Sequence, residues 1–451
     1  MKKVLNLLLI LAMMFSIQLK SQAESINKVI AKSGINKGAV SISIKDINTG
    51  KTVYELNPNQ PMMPASTLKI VTLAASLDTL GKDYEFKTQL YKNTSNELFI
   101  KLGADPFLRS KSLREMIAKA KEKKIISPKA IYIDDFIFDS NEWGEGWQWD
   151  DDLNSLMPKF SSYNIDGNLL GVVIAPTNPG APANIFTSKF YPTTFMNLVT
   201  TGTENNVTLS RKNYISPDII TAEGTVAKQI VMPIPVNHPK RYFILRLEEA
   251  IRAEKFDYYG SFKQKKLPSN NIYLVDEIKT PIKYAVPAIL KNSNNFVAET
   301  VFKAAGAKFV NNTGSQENSI KMLNAYCEKE GIKNDNIKVV DGSGVSKNNI
   351  MTAEFMTDFL VNISQKPYFL IFEEQLPTAG EGTLQNRMLY FKNNIHAKTG
   401  TLSDVSAITG YISSRSGKKY AFDIMINDPK TKNCDKKTLE EYILRALYSN
   451  Y

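Results

Sequence analysis

Two histidines and two cysteines in 451 residues exclude more chemistry than any one motif supplies. A zinc site draws three or four ligands, mostly His or Cys, and neither HExxH nor CxxC occurs in the chain. A Ser-His-Asp triad would have to use His238 or His396. His238 lies in VNHPKRY, ahead of a helix opened by Pro239, and His396 lies on a strand two residues before Lys398. Neither context is a triad motif, so an enzyme built on this chain needs a base other than histidine. Whether Cys327 and Cys434 pair depends on how close the fold brings them, which the sequence leaves open. After the N-terminal segment no run of about 18 apolar residues occurs, so no later membrane span is expected. There is no internal repeat and no low-complexity tract.

What is present starts with a leader. Lys2-Lys3 precede VLNLLLILAMMFSIQL, and Ser21-Gln22-Ala23 puts small residues where a signal peptidase cuts. Residues 1–23 are therefore expected to be a signal peptide and the mature chain, from Glu24, to be exported. An uncleaved anchor is the alternative, and the small-residue junction favours cleavage. No cysteine stands near the junction to carry a lipid. Lys2, Lys3 and Lys20 leave with the leader, taking the formal charge from +11 to +8. The remaining basic residues are scattered, which suits a Lys-rich solvated surface or an acidic cell wall better than nucleic acid.

Along the chain, AVSISIKDINTGKTVYE (39–55) alternates about an Asn-Thr-Gly turn and predicts a β-hairpin. PMMPASTLKIVTLAASLDTLG follows with helical spacing, and Ser66 falls in the first turn of that helix. From Tyr84 to Leu267 short β-type runs dominate, interrupted by the helices SLREMIAKAKEK and RYFILRLEEAIRAE. After Pro268 helices return, and the chain ends in strands around NIHAKTGTL, VSAITGYIS and YAFDIMI, then the helix KTLEEYILRALYS. The expectation is an α+β protein: a discontinuous domain of residues 24–83 and 268–451, interrupted by a β-rich insertion of residues 84–267.

Three short motifs carry the chemistry. Ser66-x-x-Lys69 is one of three such pairs, with Ser25/Lys28 and Ser416/Lys419, but it alone opens an apolar helix. Positions i and i+3 share a face, so Lys69 can reach the Ser66 hydroxyl. The helix N-terminus, partial burial and a second cation at Lys398 are expected to depress the lysine toward a neutral amine. Lys398-Thr399-Gly400 is the one Lys-Thr-Gly in the chain, on a predicted strand whose alternation puts Lys398 and Gly400 on one face. Glycine in a strand is costly unless another backbone approaches it closely. Ser293-x-Asn295 joins two helical stretches, and helix capping explains it equally well. Ser346-Lys347-Asn348 competes for the same pattern.

Taken in order, these motifs resemble the three-part signature of penicillin-recognising acyl-serine enzymes. DGSGVSKNN (341–349), LPTAGEGTLQNRM (376–388), KTGTLSDVSAITGYI (398–412) and GWQWDDDL (146–153) narrow the resemblance. It points to low-molecular-mass class C penicillin-binding proteins, the peptidase S13 family of D-alanyl-D-alanine carboxypeptidases and endopeptidases. SNNFVAE selects Ser293 and Asn295 over Ser346 within it. The resemblance implies a β-lactamase/transpeptidase-like fold, an antiparallel sheet flanked by helices, with inserted domain structure. It implies Ser66 as nucleophile, Lys69 as base and Ser293 as proton relay, with no cofactor and no metal. Asn295, Lys398, Thr399, Gly400 and Thr401 would line the substrate, with the amides of Ser66 and Thr401 holding the oxyanion. Asp151 would hold the side-chain amine of the peptide's diamino acid, although Asp150 and Asp152 leave the register ambiguous. Arg387 matches a substrate-facing arginine. Ser403 stands where a longer polar residue can occur, and Lys347 replaces the arginine usual after the DGSG serine.

The implied partners are peptidoglycan peptides and β-lactams, in the periplasm, without nucleic acid or a membrane anchor after leader cleavage. Oligomeric state is not encoded legibly. A β-lactamase is a second enzymatic reading, which the long insertion and the DGSG segment oppose. A non-catalytic wall-binding relative is a third, opposed by three intact motifs. The tryptophans Trp143, Trp147 and Trp149 are expected to be mixed core and loop residues.

Overall fold

Residues 24–211 and 219–451 are described by a computed structural model, and the leader expected at 1–23 lies outside the described residues. The described chain falls into two compact units, residues 24–67 with 351–451, and residues 68–350. The overall class is α+β, as expected.

The first unit is built on a five-stranded antiparallel sheet in the order Ile395–Leu402, Val405–Ser413, Lys419–Asn427, Val40–Asp46, Thr52–Leu56. The hairpin expected at 39–55 supplies the last two strands, and all three C-terminal strands form where their patterns place them. Alternation decides what each face meets. Ile42, Ile408, Ile412, Phe422, Ile424 and Ile426 share an apolar cluster with Leu439, Ile443 and Leu447 of the terminal helix Asn433–Asn450. That helix therefore packs its apolar side on the sheet instead of offering it to a membrane.

The opposite face is polar for a buried surface. Lys398, Thr409, Asp423 and Ser43 lie opposite one another across four strands, and all four are buried. The Ala353–Ser364 helix covers this face, with Ser43 and Thr357 sharing a hydroxyl hydrogen bond of 2.7 Å. Tyr411 donates to the Leu360 carbonyl at 2.8 Å. Buried polar groups must be paired or they cost stability; Thr409 donates to one Asp423 oxygen, the other has no partner among the described residues, and burial raises the Asp423 pKa well above the carboxylate range.

The second unit contains a helical group and a β-rich body. The helices are Leu68–Leu80, Ala285–Leu290, Asn295–Val310 and Gln316–Glu330. Their ends carry ordinary stop and start chemistry: Asn294 accepts from the Val297 amide, and Ser315 accepts from the Asn318 amide. The β-rich body holds a five-stranded sheet in the order Phe262–Gln264, Ile131–Asp134, Leu98–Lys101, Glu85–Asn93, Ile272–Pro281, and two three-stranded sheets. Helices Ser110–Glu122 and Pro239–Ala253 pack with these sheets in one core that includes Leu113, Ile117, Phe243 and Leu247.

The first helix expected after Pro268 was IKYAVPAILKN, and ahead of it runs a ten-residue strand, Ile272–Pro281, that no expectation covered. It pairs along its whole length with Glu85–Asn93, so backbone pairing outweighs its weak burial pattern. Cys327 is buried in the Gln316–Glu330 helix, Cys434 is exposed in the terminal helix, and both are free.

Candidate active site

In the first unit the nucleophile candidate rides on a short turn of helix. Ala65–Thr67 forms one 3-10 turn and the α-helix begins at Leu68, so Ser66 sits just ahead of the regular helix. Ala65 holds a left-handed φ of 48°, a conformation that costs a non-glycine residue roughly 1–2 kcal/mol. Such strain persists only where the surroundings impose it. Here the Lys-Thr-Gly strand does so. A Cβ on Gly400 would stand 2.7 Å from the Pro64 carbonyl oxygen, 3.0 Å from Ala65 Cβ and 3.1 Å from the Ser66 amide nitrogen. The glycine is required because this backbone passes against the strand, the close approach that its place in a strand predicted. Asn427 pins the same segment, accepting from the Met63 amide at 2.7 Å.

Along that strand Lys398 is fully buried and donates to the Thr399 carbonyl at 2.8 Å, while Thr401 is exposed and Ser403 lies in the two-residue turn that follows. Arg387 donates to Glu440 at 2.6 Å, and Glu440, fully buried, also accepts from Ser406 at 2.6 Å. Ser406 is the cross-strand neighbour of Thr401. Burial lifts the Glu440 carboxyl above the ordinary range, against the pull of Arg387.

In the second unit Lys69, one residue into its helix, is fully buried. Its Nζ donates to Asn295 Oδ1 at 2.7 Å and to the Ser343 carbonyl at 2.6 Å. Burial pushes its pKa down to about 7, while Asp341 and Glu299 push the other way. Of the three causes expected from the sequence, helix terminus, second cation and burial, burial is the one that lowers it in this unit, because a buried ammonium loses its water.

Asn295 opens the Asn295–Val310 helix, and the residue two before it, Ser293, is held at a left-handed φ of 55°. Asn294, not Ser293, caps that helix. Asn295 has a second contact, donating through Nδ2 to the Leu156 carbonyl at 2.9 Å. It thereby ties the segment just after GWQWDDDL to Lys69. In that region Asp152 pairs with Arg211 at 2.6 Å, Asp150 is exposed and Asp151 is half-buried within a 3-10 turn. Trp147 is buried and Trp149 two-thirds exposed, the mixture expected of core and loop residues.

The segment Asp341-Gly342-Ser343 is held from several sides. Trp147 Nε1 donates to Asp341 at 2.9 Å, and the Gly344 and Ser346 amides donate to the same carboxylate at 2.7 Å. Thr72 donates to the Gly342 carbonyl at 2.7 Å. Glu299 accepts from the Gly342 amide at 2.9 Å and from the Ser343 amide at 2.8 Å. A Cβ on Gly342 would come within 2.8 Å of Phe302, so only glycine lets the segment lie on the Glu299 helix. Glu299 closes the SNNFVAE stretch that selected the second motif, but it was given no role of its own. Its signal was an acid standing among apolar residues in FVAETVF, on a helix buried nearly all round.

The chain's two sets of motif residues thus meet the first two requirements of acyl-serine chemistry: a serine in a constrained turn beside a Lys-Thr-Gly strand, and a buried amine with a lowered pKa. The sequence model of the D-Ala-D-Ala carboxypeptidase 3 (S13) family matches residues 22–447, and the chain belongs to that family. It is similar to D-alanyl-D-alanine carboxypeptidase DacB of Haemophilus influenzae, with 24% identity over 424 residues covering 90% of this chain and 88% of that one. D-alanyl-D-alanine carboxypeptidase of Actinomadura sp. (strain R39) is 24% identical over 436 residues, covering 90% and 80%. The crystal structure of penicillin binding protein 4 (dacB) from Haemophilus influenzae matches with a TM-score of 0.83 and 23% identity, over 94% of this chain and 98% of that one. That likeness establishes the fold as transpeptidase-like with inserted structure.

Proposed function

We propose that the protein is an exported serine-type D-alanyl-D-alanine carboxypeptidase whose nucleophile is Ser66. The observation that carries this reading is the state of Lys69, a fully buried amine lowered to about 7 and placed three residues after Ser66. Asn295 Oδ1 and the Ser343 carbonyl take two of its hydrogens. A neutral amine can take a serine proton where no histidine is at hand.

The reaction follows. Lys69 takes the Ser66 hydroxyl proton as Ser66 Oγ bonds to the carbonyl carbon of the penultimate D-Ala. The amides of Ser66 and Thr401 stabilise the oxyanion. Ser293 passes its proton to the departing D-Ala nitrogen as the C–N bond breaks and regains one from the Lys69 ammonium, leaving an ester on Ser66 and a neutral Lys69. Water adds to that ester, its proton goes to the same base, and the Ser66 oxygen leaves reprotonated. Asn295 holds the substrate amide, and Lys398, Thr399 and Thr401 bind the terminal carboxylate. Gly400 lets the strand and the serine turn approach.

In this reading Asp151 takes the substrate's side-chain amine, since Arg211 already engages Asp152. Arg387 acts through its pair with Glu440, and Ser403 borders the strand that binds substrate. Residues 84–267 form the insertion, the leader at 1–23 directs export to the periplasm, and the substrates are peptidoglycan stem peptides. A strained cyclic amide that mimics D-Ala-D-Ala would trap the same ester, and a related enzyme has been crystallised complexed with a β-lactam. The endopeptidase reaction differs only in the group that follows the D-configured bond. Purified muropeptides test the reading: wild type should release free D-Ala and Ser66→Ala should not. Conversion of cross-linked dimers to monomers in the same digest would add the endopeptidase activity. No product from either substrate would refute the reading.

A further inference from the structure

We propose that Glu299 is a positioning residue for the reaction: its buried carboxylate holds the Gly342-Ser343 turn so that the Ser343 carbonyl meets Lys69. The inference rests on the role given above to Lys69.

The geometry forms an unbroken relay within the second unit. Glu299 is 1% exposed, and its carboxylate spans two successive amides, Gly342 N–H at 2.9 Å and Ser343 N–H at 2.8 Å. The next carbonyl along, that of Ser343, accepts from Lys69 Nζ at 2.6 Å. Gly342 has no Cβ to keep the turn off the Glu299 helix. The two amides that Glu299 holds fix the backbone from which the Ser343 carbonyl projects, and the Gly344 amide that shares a peptide with that carbonyl is held by Asp341 at 2.7 Å.

Charge gives the arrangement its consequence. The groups facing Glu299 are Asp341 on the turn, Lys69 on the neighbouring helix and Lys303 on its own helix. Lys303 is committed elsewhere, to Asp139 and to the Asn141 carbonyl at 2.7 Å, with Glu142 also nearby. Asp341 is satisfied by Trp147, two amides and Asn349. Glu299 is therefore the group whose charge is least settled: burial, with Asp341 beside it, raises its pKa, while the Ser343 and Gly342 hydrogen bonds and the Lys69 charge favour the carboxylate. Its ionised form favours the ammonium of Lys69, so the two titrate as a pair. Removing the charge makes Lys69 easier to deprotonate, and removing the second acceptor loosens the turn.

The test is the rate of acylation by penicillin against pH, for wild type and Glu299→Gln, with Ser66→Ala as the blank. Glutamine keeps one acceptor and adds a donor, so the plateau should fall about ten-fold, the loss of one buried hydrogen bond. The midpoint of the acidic limb should move to lower pH. A Glu299→Gln curve that keeps the wild-type midpoint, whatever its height, overturns the proposal and leaves Glu299 a structural residue. If wild type fails to react at all, the Ser66 reading fails instead. A second measurement then decides for Glu299, and it also serves if the variant does not fold. The 13Cε resonance of Lys69 in the wild-type protein, assigned by its loss in Lys69→Arg, should show two inflections with pH, one from its own proton and one from the Glu299 proton. One inflection overturns the proposal.

Discussion

Asn295 accepts a hydrogen bond from Lys69 at 2.7 Å and returns one through its other amide atom to the Leu156 carbonyl at 2.9 Å. One side chain thus connects the second and first motifs and fixes the loop that carries Asp151. Asn295→Asp keeps the shape but sets a carboxylate against the lysine. An opposite charge at that distance favours the ammonium, so the acidic limb of acylation should move to higher pH. Asn295→Ala, which leaves the amine with one fewer acceptor, should slow acylation at least ten-fold without that upward move. Stopped-flow acylation by a chromogenic β-lactam across pH separates the two.

The pH dependence of wild type follows from Lys69 itself. In the proposed mechanism the base is the neutral amine, and burial lowers the Lys69 pKa to about 7. Below that value the neutral fraction falls ten-fold per pH unit, so the acylation rate should fall with a slope near one from about pH 7 downward. A rate unchanged between pH 5 and 8 would exclude Lys69 as the base.

Gly400→Ala probes the first unit alone. The added methyl would meet the Pro64 carbonyl at 2.7 Å and Ala65 Cβ at 3.0 Å, both ahead of Ser66. Overpacking of this kind costs roughly 1–3 kcal/mol, and here the turn that bears the nucleophile has to yield. Acylation should drop more than ten-fold, while the melting temperature falls by only a few degrees. Equal labelling of variant and wild type by a fluorescent penicillin would show that the close approach has no catalytic purpose.

Much of this arrangement was legible in the sequence, and the exceptions share a cause. The Lys-Thr-Gly strand, the hairpin at 39–55 and the helix after Pro64 announce themselves by period and turn residues, and they form where expected. The Ile272–Pro281 strand does not, because it is held by backbone pairing to Glu85–Asn93 and buries few of its side chains. The Thr194–Thr201 and Ile219–Val226 strands pair in parallel across a long connection, which no local pattern encodes. At the candidate site, motif order offered Ser66, Lys69 and Asn295, and the structure joins the last two. The Ser343 contact of Lys69 was not legible, since it is a main-chain carbonyl and main-chain atoms leave no mark on composition.

Arg387 was expected to face substrate, and its pair with Glu440 makes a stability prediction instead. Glu440 is fully buried, Arg387 is 18% exposed, and they meet at 2.6 Å. Arg387→Ala strands a buried carboxylate, which should cost about 2–4 kcal/mol in urea unfolding. Adding Glu440→Gln should recover part of that loss, because a neutral amide tolerates burial better. A single variant with wild-type stability and a raised KM would instead assign Arg387 to the substrate.

The central claim is that Ser66 is the acylated residue. Incubating the purified protein with benzylpenicillin, digesting it and mapping the adduct by mass spectrometry tests that claim directly. The account predicts one penicilloyl group, on the peptide containing Ser66, and none on the Ser66→Ala protein. An adduct on another residue, or an adduct that survives in Ser66→Ala, would contradict it.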